Sequence, residues 1–228
     1  MKDVHGVSIS HQTVLNYENS AALVLKPYVD HYPYELSGQY CGNETYIRVN
    51  GRWHYLFFFF DTVKKIILSY PISAKRDTLT AIRAMDTVLS RMKKIPEDLV
   101  FIVDGNPIYL LAQQFFAQHG IAFDIKQVIG LTNKDPVTTK YRPMKQIIER
   151  LNRTFKGNYR ATHGFGSSVG SVSFVSLFVA YFNFLRSHAA LEGRVPVVLP
   201  ELDEPKNMPG RWVKLLGLAQ EWPKDPSA

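Results

Sequence analysis

Apolar and polar positions change their period several times along the chain. Residues 45–49 are rich in β-branched and aromatic types, and Asn50-Gly51 follows them, the strongest short hairpin signal. Residues 53–60 return as a strand whose four consecutive phenylalanines are apolar on both faces, as in a covered strand. Asp61 and Thr62 make a turn, and residues 66–72 read as a third strand of a meander. The period then becomes helical. Leu79, Ile82, Met85, Val88, Leu89 and Met92 recur at helix spacing over residues 77–93, with Asp77 as the cap. A short buried strand is predicted at 99–103, a helix at 108–119 ended by Gly120, and a strand at 121–128. Residues 130–142 read as a polar loop, and Pro143 opens a helix to residue 156. A loop rich in Gly and Ser spans 157–171, followed by an apolar helix to about residue 186.

The two ends have different textures. Ser10 caps a predicted helix over 11–25, which Pro27 stops. The tail carries Pro196, Pro200, Pro205 and Pro209 and a short helix over 212–220. The pattern divides the chain into 1–36, 37–195 and a tail over 196–228. A meander followed by alternating helix and strand predicts an α/β fold, a mixed sheet covered by helices. The ribonuclease H-like architecture has this order.

Composition narrows the function classes. In 228 residues, 46% are hydrophobic and 21% charged, so the chain can bury a core and is not disordered. Its single cysteine, Cys41, excludes an intramolecular disulfide and a cysteine-rich zinc site. The start shows no signal-peptide pattern. The uncharged stretch 164–185 is Gly- and Ser-rich at first, and its apolar part is too short to span a bilayer. A cytoplasmic, nucleoid-associated protein with no membrane partner is expected. The net charge of +7 points to a polyanion, and between residues 140 and 160 seven basic residues surround one acid.

That acid is Glu149. Met144, Ile148, Leu151 and Phe155 form an apolar stripe, and Glu149 sits at its edge beside Lys145, Arg153 and Lys156. Two readings stand: ordinary pairing with Lys145 and Arg153, or a carboxylate ligand within a phosphate-gripping surface. Asp104 directly follows a strand, where functional groups gather in open α/β sheets. It also suits a turn before Gly105 or a helix cap. The histidines form no evident metal pair, and no nucleophile elbow or Walker loop occurs.

Taken together, residues 43–61 (NETYIRVNGRWHYLFFFFD), 101–109 (FIVDGNPIY), 141–160 (YRPMKQIIERLNRTFKGNYR) and 182–196 (FNFLRSHAALEGRVP) resemble insertion-sequence transposases of the DDE type, with an integrase-like catalytic core. The resemblance implies a ribonuclease H-like fold and three acidic ligands holding two Mg²⁺ ions for DNA cleavage and strand transfer. Asp104 matches the second metal ligand, Glu149 the third, and Lys156 a position that contacts DNA. Lys145 and Arg153 flank the same site and are expected to bind DNA with it. The implied partners are transposon ends, target DNA and further copies of the chain in an active homo-oligomer.

Two departures change these expectations. Asn43 stands where the family has its first Asp. An amide offers one neutral oxygen, whereas a carboxylate can bridge two cations. Glu44 is an unpromising substitute, because adjacent strand residues point to opposite faces. Catalysis is therefore expected to be severely weakened or absent. Before the core, only the final helix of a helix-turn-helix region is matched, with Ser10, His11, Gln12 and Thr13 at its DNA-facing start, and an N-terminal truncation is expected. The alternative function is a non-catalytic DNA-binding or oligomerising transposase fragment.

Overall fold

The computed structural model describes residue 6, residues 8–129 and residues 135–222. Its elements in chain order are α1 (His11–His31), β1 (Gln39–Val49), β2 (Arg52–Asp61), β3 (Ile67–Ser69), β4 (Ile72–Ser73), α2 (Thr78–Leu89), β5 (Val100–Val103), α3 (Ile108–Gln118), β6 (Asp124–Gln127), α4 (Pro136–Tyr159), α5 (Ser168–Ala180) and α6 (Met208–Glu221). A π-helical turn, Tyr181–Leu185, prolongs α5, and short 3₁₀ turns follow α4 and punctuate the tail. Pro33–Phe165 form one compact unit, and the segments before and after it form the other.

The first unit is built on one sheet. Its strand order is β3-β2-β1-β5-β6, with β4 also paired to β2. β1 and β2 run antiparallel in continuous register from Tyr40↔Asp61 to Val49↔Arg52. Asn50 and Gly51 join them with φ of 50° and 72°, the doubly left-handed turn that matches the twist of a hairpin. β5 pairs with β1 and with β6 in parallel. Antiparallel strands followed by helix-linked parallel ones make a ribonuclease H-like sheet. The expected third strand is broken in two. Pro71 falls between β3 and β4, and its carbonyl accepts the N–H of Phe57 at 3.0 Å while its own nitrogen has no proton to donate.

Helices cover both faces of this sheet. α2 is capped by Asp77, which accepts the N–H of Thr80 at 3.0 Å. It buries Ala81, Ala84, Met85, Val88 and Leu89, but Leu79 is exposed and the helix stops at Leu89. α4 is longer than the pattern predicts. Residues 135–142, expected as loop, are its cap and first two turns, while residues 130–134 lie outside the described residues. Asp135 accepts the N–H of Thr138 at 2.7 Å and Pro136 takes the first helical position, where a missing N–H costs nothing. Pro143 lies inside the helix. Its neighbours' burial offsets the backbone bond it forfeits.

In the other unit α1 likewise runs through Pro27 to His31. Leu25, Tyr28 and Val29 are buried where α1 packs on α5 and α6. The Tyr28 ring meets Tyr32, Phe184 and Trp222 at 5.1–5.5 Å between centroids. This packing outweighs a proline penalty of roughly 3 kcal/mol. α5 is the expected buried helix, with Val175, Ser176 and Val179 fully inside, and Ser167 caps it.

Gly42 faces Phe59 across the hairpin. A Cβ there would stand 2.6 Å from the ring, and Phe59 is fully buried with no room to retreat. Gly42→Ala is expected to destabilise the protein by about 1–3 kcal/mol in urea denaturation.

Candidate active site and nucleic-acid interface

The last registered pair between β1 and β5 is Cys41↔Ile102. Asn43 and Asp104 each lie two residues further on, at the carboxyl end where parallel strands collect functional groups. α4 packs against β1, β5 and β6. Ile148, Leu151 and Phe155 are buried. The Phe155 ring meets Phe58, the cross-strand partner of Asn43, edge-on at 5.4 Å. Near its other end, buried Lys145 acts on Cys41. Burial pushes the Cys41 thiol up to about 12, while the Lys145 and Lys65 charges pull it down. Glu149 is half-buried between these two anchors on the helix. The helix thus carries Glu149 across the stretch of β1 that bears Asn43. The Asn43 Oδ1 accepts the N–H of Glu44 at 3.0 Å.

Glu44 is part of a second network that the sequence pattern did not reveal. Its side chain is only 2% exposed. Arg76 Nε donates to Glu44 Oε1 at 3.0 Å, and the far guanidinium nitrogen reaches Asp104 Oδ2 at 3.4 Å. Asn106 Nδ2 also donates to Glu44 Oε1, at 3.1 Å, and the Asn106 N–H donates to Asp104 Oδ1 at 3.0 Å. Arg76 therefore bridges a carboxylate on β1 and one just past the end of β5. Those carboxylates hold the guanidinium pKa above its ordinary value, the Glu44 hydrogen bond being the largest cause. The Tyr109 hydroxyl is fully buried nearby. Burial, then the Glu44 and Asp104 charges, drive its pKa well up. Arg76 directly precedes the helix cap Asp77, which was the only local signal at this place.

The basic residues of α4 separate by exposure. Lys145 is buried. Arg150 and Arg153 face solvent, and Lys156 is half-buried. Lys156 Nζ donates to the Tyr46 carbonyl and lies 5.0 Å from the Tyr159 ring centroid. Burial, then Arg160, lowers its pKa. In the other unit, Ser10 accepts the N–H of Thr13 at 3.0 Å, and Gln12 donates to Asn16 at 2.9 Å. Ser10 and Thr13 thus serve the helix start, and His11 is exposed there.

The oxygen donors of Asn43, Asp104 and Glu149 suit a hard divalent cation in kind. They fall short in charge, because only two are carboxylates and Asp104 already holds Arg76 and Asn106. Among the described residues, no three His, Cys, Asp or Glu side chains converge as a ligand set. The residues present do not fit a complete two-cation site.

Residues 39–178 match the family model for the DDE domain of IS240-type transposases. The fold is similar to the human T-lymphotropic virus 2 (HTLV-2) integrase catalytic core in complex with magnesium, at 15% identity and TM-score 0.43, covering 71% of this chain and 95% of that one. It is similar to the catalytic core of bovine immunodeficiency virus (BIV) integrase, at 15% identity and TM-score 0.46, covering 70% and 91%. It is also similar to a chain of the simian T-cell lymphotropic virus intasome, at 15% identity and TM-score 0.47, covering 72% and 59%. No curated protein matches the sequence.

Removing Arg76 leaves the buried Glu44 carboxylate without its cation. Arg76→Ala is expected to cost roughly 1–3 kcal/mol, less than for a fully buried pair because Arg76 is 37% exposed. In a double-mutant cycle with Glu44→Gln, urea denaturation should give a coupling of at least about 0.5 kcal/mol. Additive losses would show that the pair contributes nothing.

Proposed function

The chain belongs to the DDE-domain family of IS240-type transposases, and from that premise we propose that it is an insertion-sequence transposase core for DNA cleavage and strand transfer whose chemistry is severely weakened or absent. The observation that carries the impairment is Asn43. It lies in mid-β1, two residues past the parallel pairing with β5 as Asp104 is on β5's side, and α4, the helix that bears Glu149, packs against β1. A neutral amide there removes one negative charge from a set that needs three. The family's Mg²⁺ ions would supply activation of water or of a DNA 3′ hydroxyl.

What this chain's own residues do is hold DNA. Arg150, Arg153 and Lys156 present cations along α4 beside Glu149, where a backbone phosphate would lie. Asp104 is fixed by Arg76 and the Asn106 N–H, so its orientation is set before any ligand arrives. The natural substrates are transposon ends and target DNA, and the working form is a homo-oligomer assembled on them in the cytoplasm. Ser10, His11, Gln12 and Thr13 add contacts at the start of α1.

A second reading is a non-catalytic DNA-binding or oligomerising protein that joins active copies in mixed assemblies. The bridging of Glu44 and Asp104 by Arg76 favours it, since a resident cation already answers charge at the candidate site.

Two measurements test these readings. With Mg²⁺ and supercoiled DNA carrying an element end, the native chain is expected to nick little or not at all, and Asn43→Asp to nick measurably. Equal rates for the two would overturn the impairment. Duplex binding should weaken linearly in log affinity against log salt, and Arg153→Ala should flatten that slope by about 1. Absence of duplex binding at low salt would overturn both readings.

A further inference from the structure

The tip of the β1–β2 hairpin carries a row of rings that the site described above does not use, with Arg48 and the shared Lys156 beside it. Cross-strand pairs Tyr46↔Tyr55 and Arg48↔Trp53 place four side chains on one face of the sheet. Tyr46 meets Tyr55 at 5.6 Å and Trp53 at 6.3 Å between centroids, both edge-on. The Arg48 guanidinium lies 4.9 Å from the Trp53 ring centroid. Lys156 Nζ is 6.0 Å from that of Tyr46. The rings are not core: Trp53 is 56% exposed and Tyr46 is 49% exposed. On the same face, one strand step back, lie Glu44 and Phe57, and Glu44 is the carboxylate that Arg76 holds. The row therefore starts at the Arg76–Asp104 pair and runs toward the turn.

The backbone beneath it is clamped. The Arg48 N–H donates to the Tyr159 hydroxyl at 2.7 Å, and its carbonyl accepts the N–H of Phe165 at 2.9 Å. The Asn50 N–H donates to the Phe165 carbonyl at 2.8 Å. A hairpin held by its neighbours on this edge does not need exposed tryptophan for its own stability.

We propose that this face is a stacking platform for an unpaired DNA strand, resting on the DNA-binding reading above and extending it from phosphates to bases. Interleaved aromatic faces and cations suit a ligand with π surfaces and negative charge. Duplex DNA keeps its bases stacked within the helix, so only a frayed or single-stranded segment can lie on the rings. From Glu44 to Arg48 the strand rises roughly 13 Å, room for about three to four stacked nucleotides.

The test uses the full chain with Trp212→Phe and Trp222→Phe, which leaves Trp53 as its one tryptophan. Oligothymidylate is expected to quench Trp53 fluorescence. Tyr46→Leu and Trp53→Leu, read by fluorescence anisotropy of labelled oligothymidylate, should each weaken binding roughly five- to a hundred-fold. Affinity for labelled duplex should stay within about twofold. Duplex binding without quenching, and with unchanged oligothymidylate affinity in the leucine variants, would overturn the platform and leave the phosphate-binding reading standing. Equal loss of both ligands would also overturn it, as would binding of neither ligand to the native chain. Quenching by a peptide but not by oligothymidylate would replace the nucleic acid with a protein partner.

Discussion

Double pairing of β1 is the constraint on which the rest of the first unit depends. The strand is hydrogen-bonded to β2 along its length and to β5 only over Gln39–Cys41. Where β5 ends, one edge of β1 is released while the other stays fixed. The released edge is taken up by the C-terminal end of α4 and the segment after it, through Lys156, Tyr159 and Phe165. Without that cover, residues 44–49 would present unpaired backbone groups, an invitation to edge-to-edge association. One strand thereby carries Asn43 just past the point of release and the exposed rings further along the released part.

Charge is the second organising quantity. The sheet's carboxyl end gathers Glu44 and Asp104 around Arg76, while α4 brings Glu149 among cations. On the proposed reading, Asn43 places a neutral amide where a third carboxylate would stand, so protein cations carry more relative weight there. Phosphate binding would then rest on those cations and cleavage on the carboxylates, so the two properties would be separable.

Element order was legible in the sequence because it rests on local signals. Asn50-Gly51, the Phe-rich return strand, Asp77 and Ser10 each acted where the pattern placed them. Two of the errors share one cause. Pro27 and Pro143 read as boundaries, yet tertiary burial of Tyr28, Val29, Ile148 and Leu151 carried both helices through. Asp135-Pro136 was a cap and first turn, but its polar surroundings resembled a loop. At the site, Asp104 and Glu149 stood out by position and pattern with a structural alternative for each, while Asn43 and the grouping of the three came only from the family resemblance. Arg76 and Tyr109 were not legible, because their partner Glu44 lies far away in sequence. Glu44 does point away from Asn43's face, as strand alternation requires, and it is on that opposite face that it meets Arg76.

The single cysteine has a practical consequence. The Cys41 thiol is fully enclosed between the sheet and α4, with its ionisation suppressed. Thiol reagents attack the thiolate, so they are shut out until α4 lifts from β1. The rate of Cys41 alkylation in native buffer therefore works as a chemical clock for the opening of this layer. A DNA strand gripped by α4 would slow that clock, and the chain carries the reporter without any engineered label.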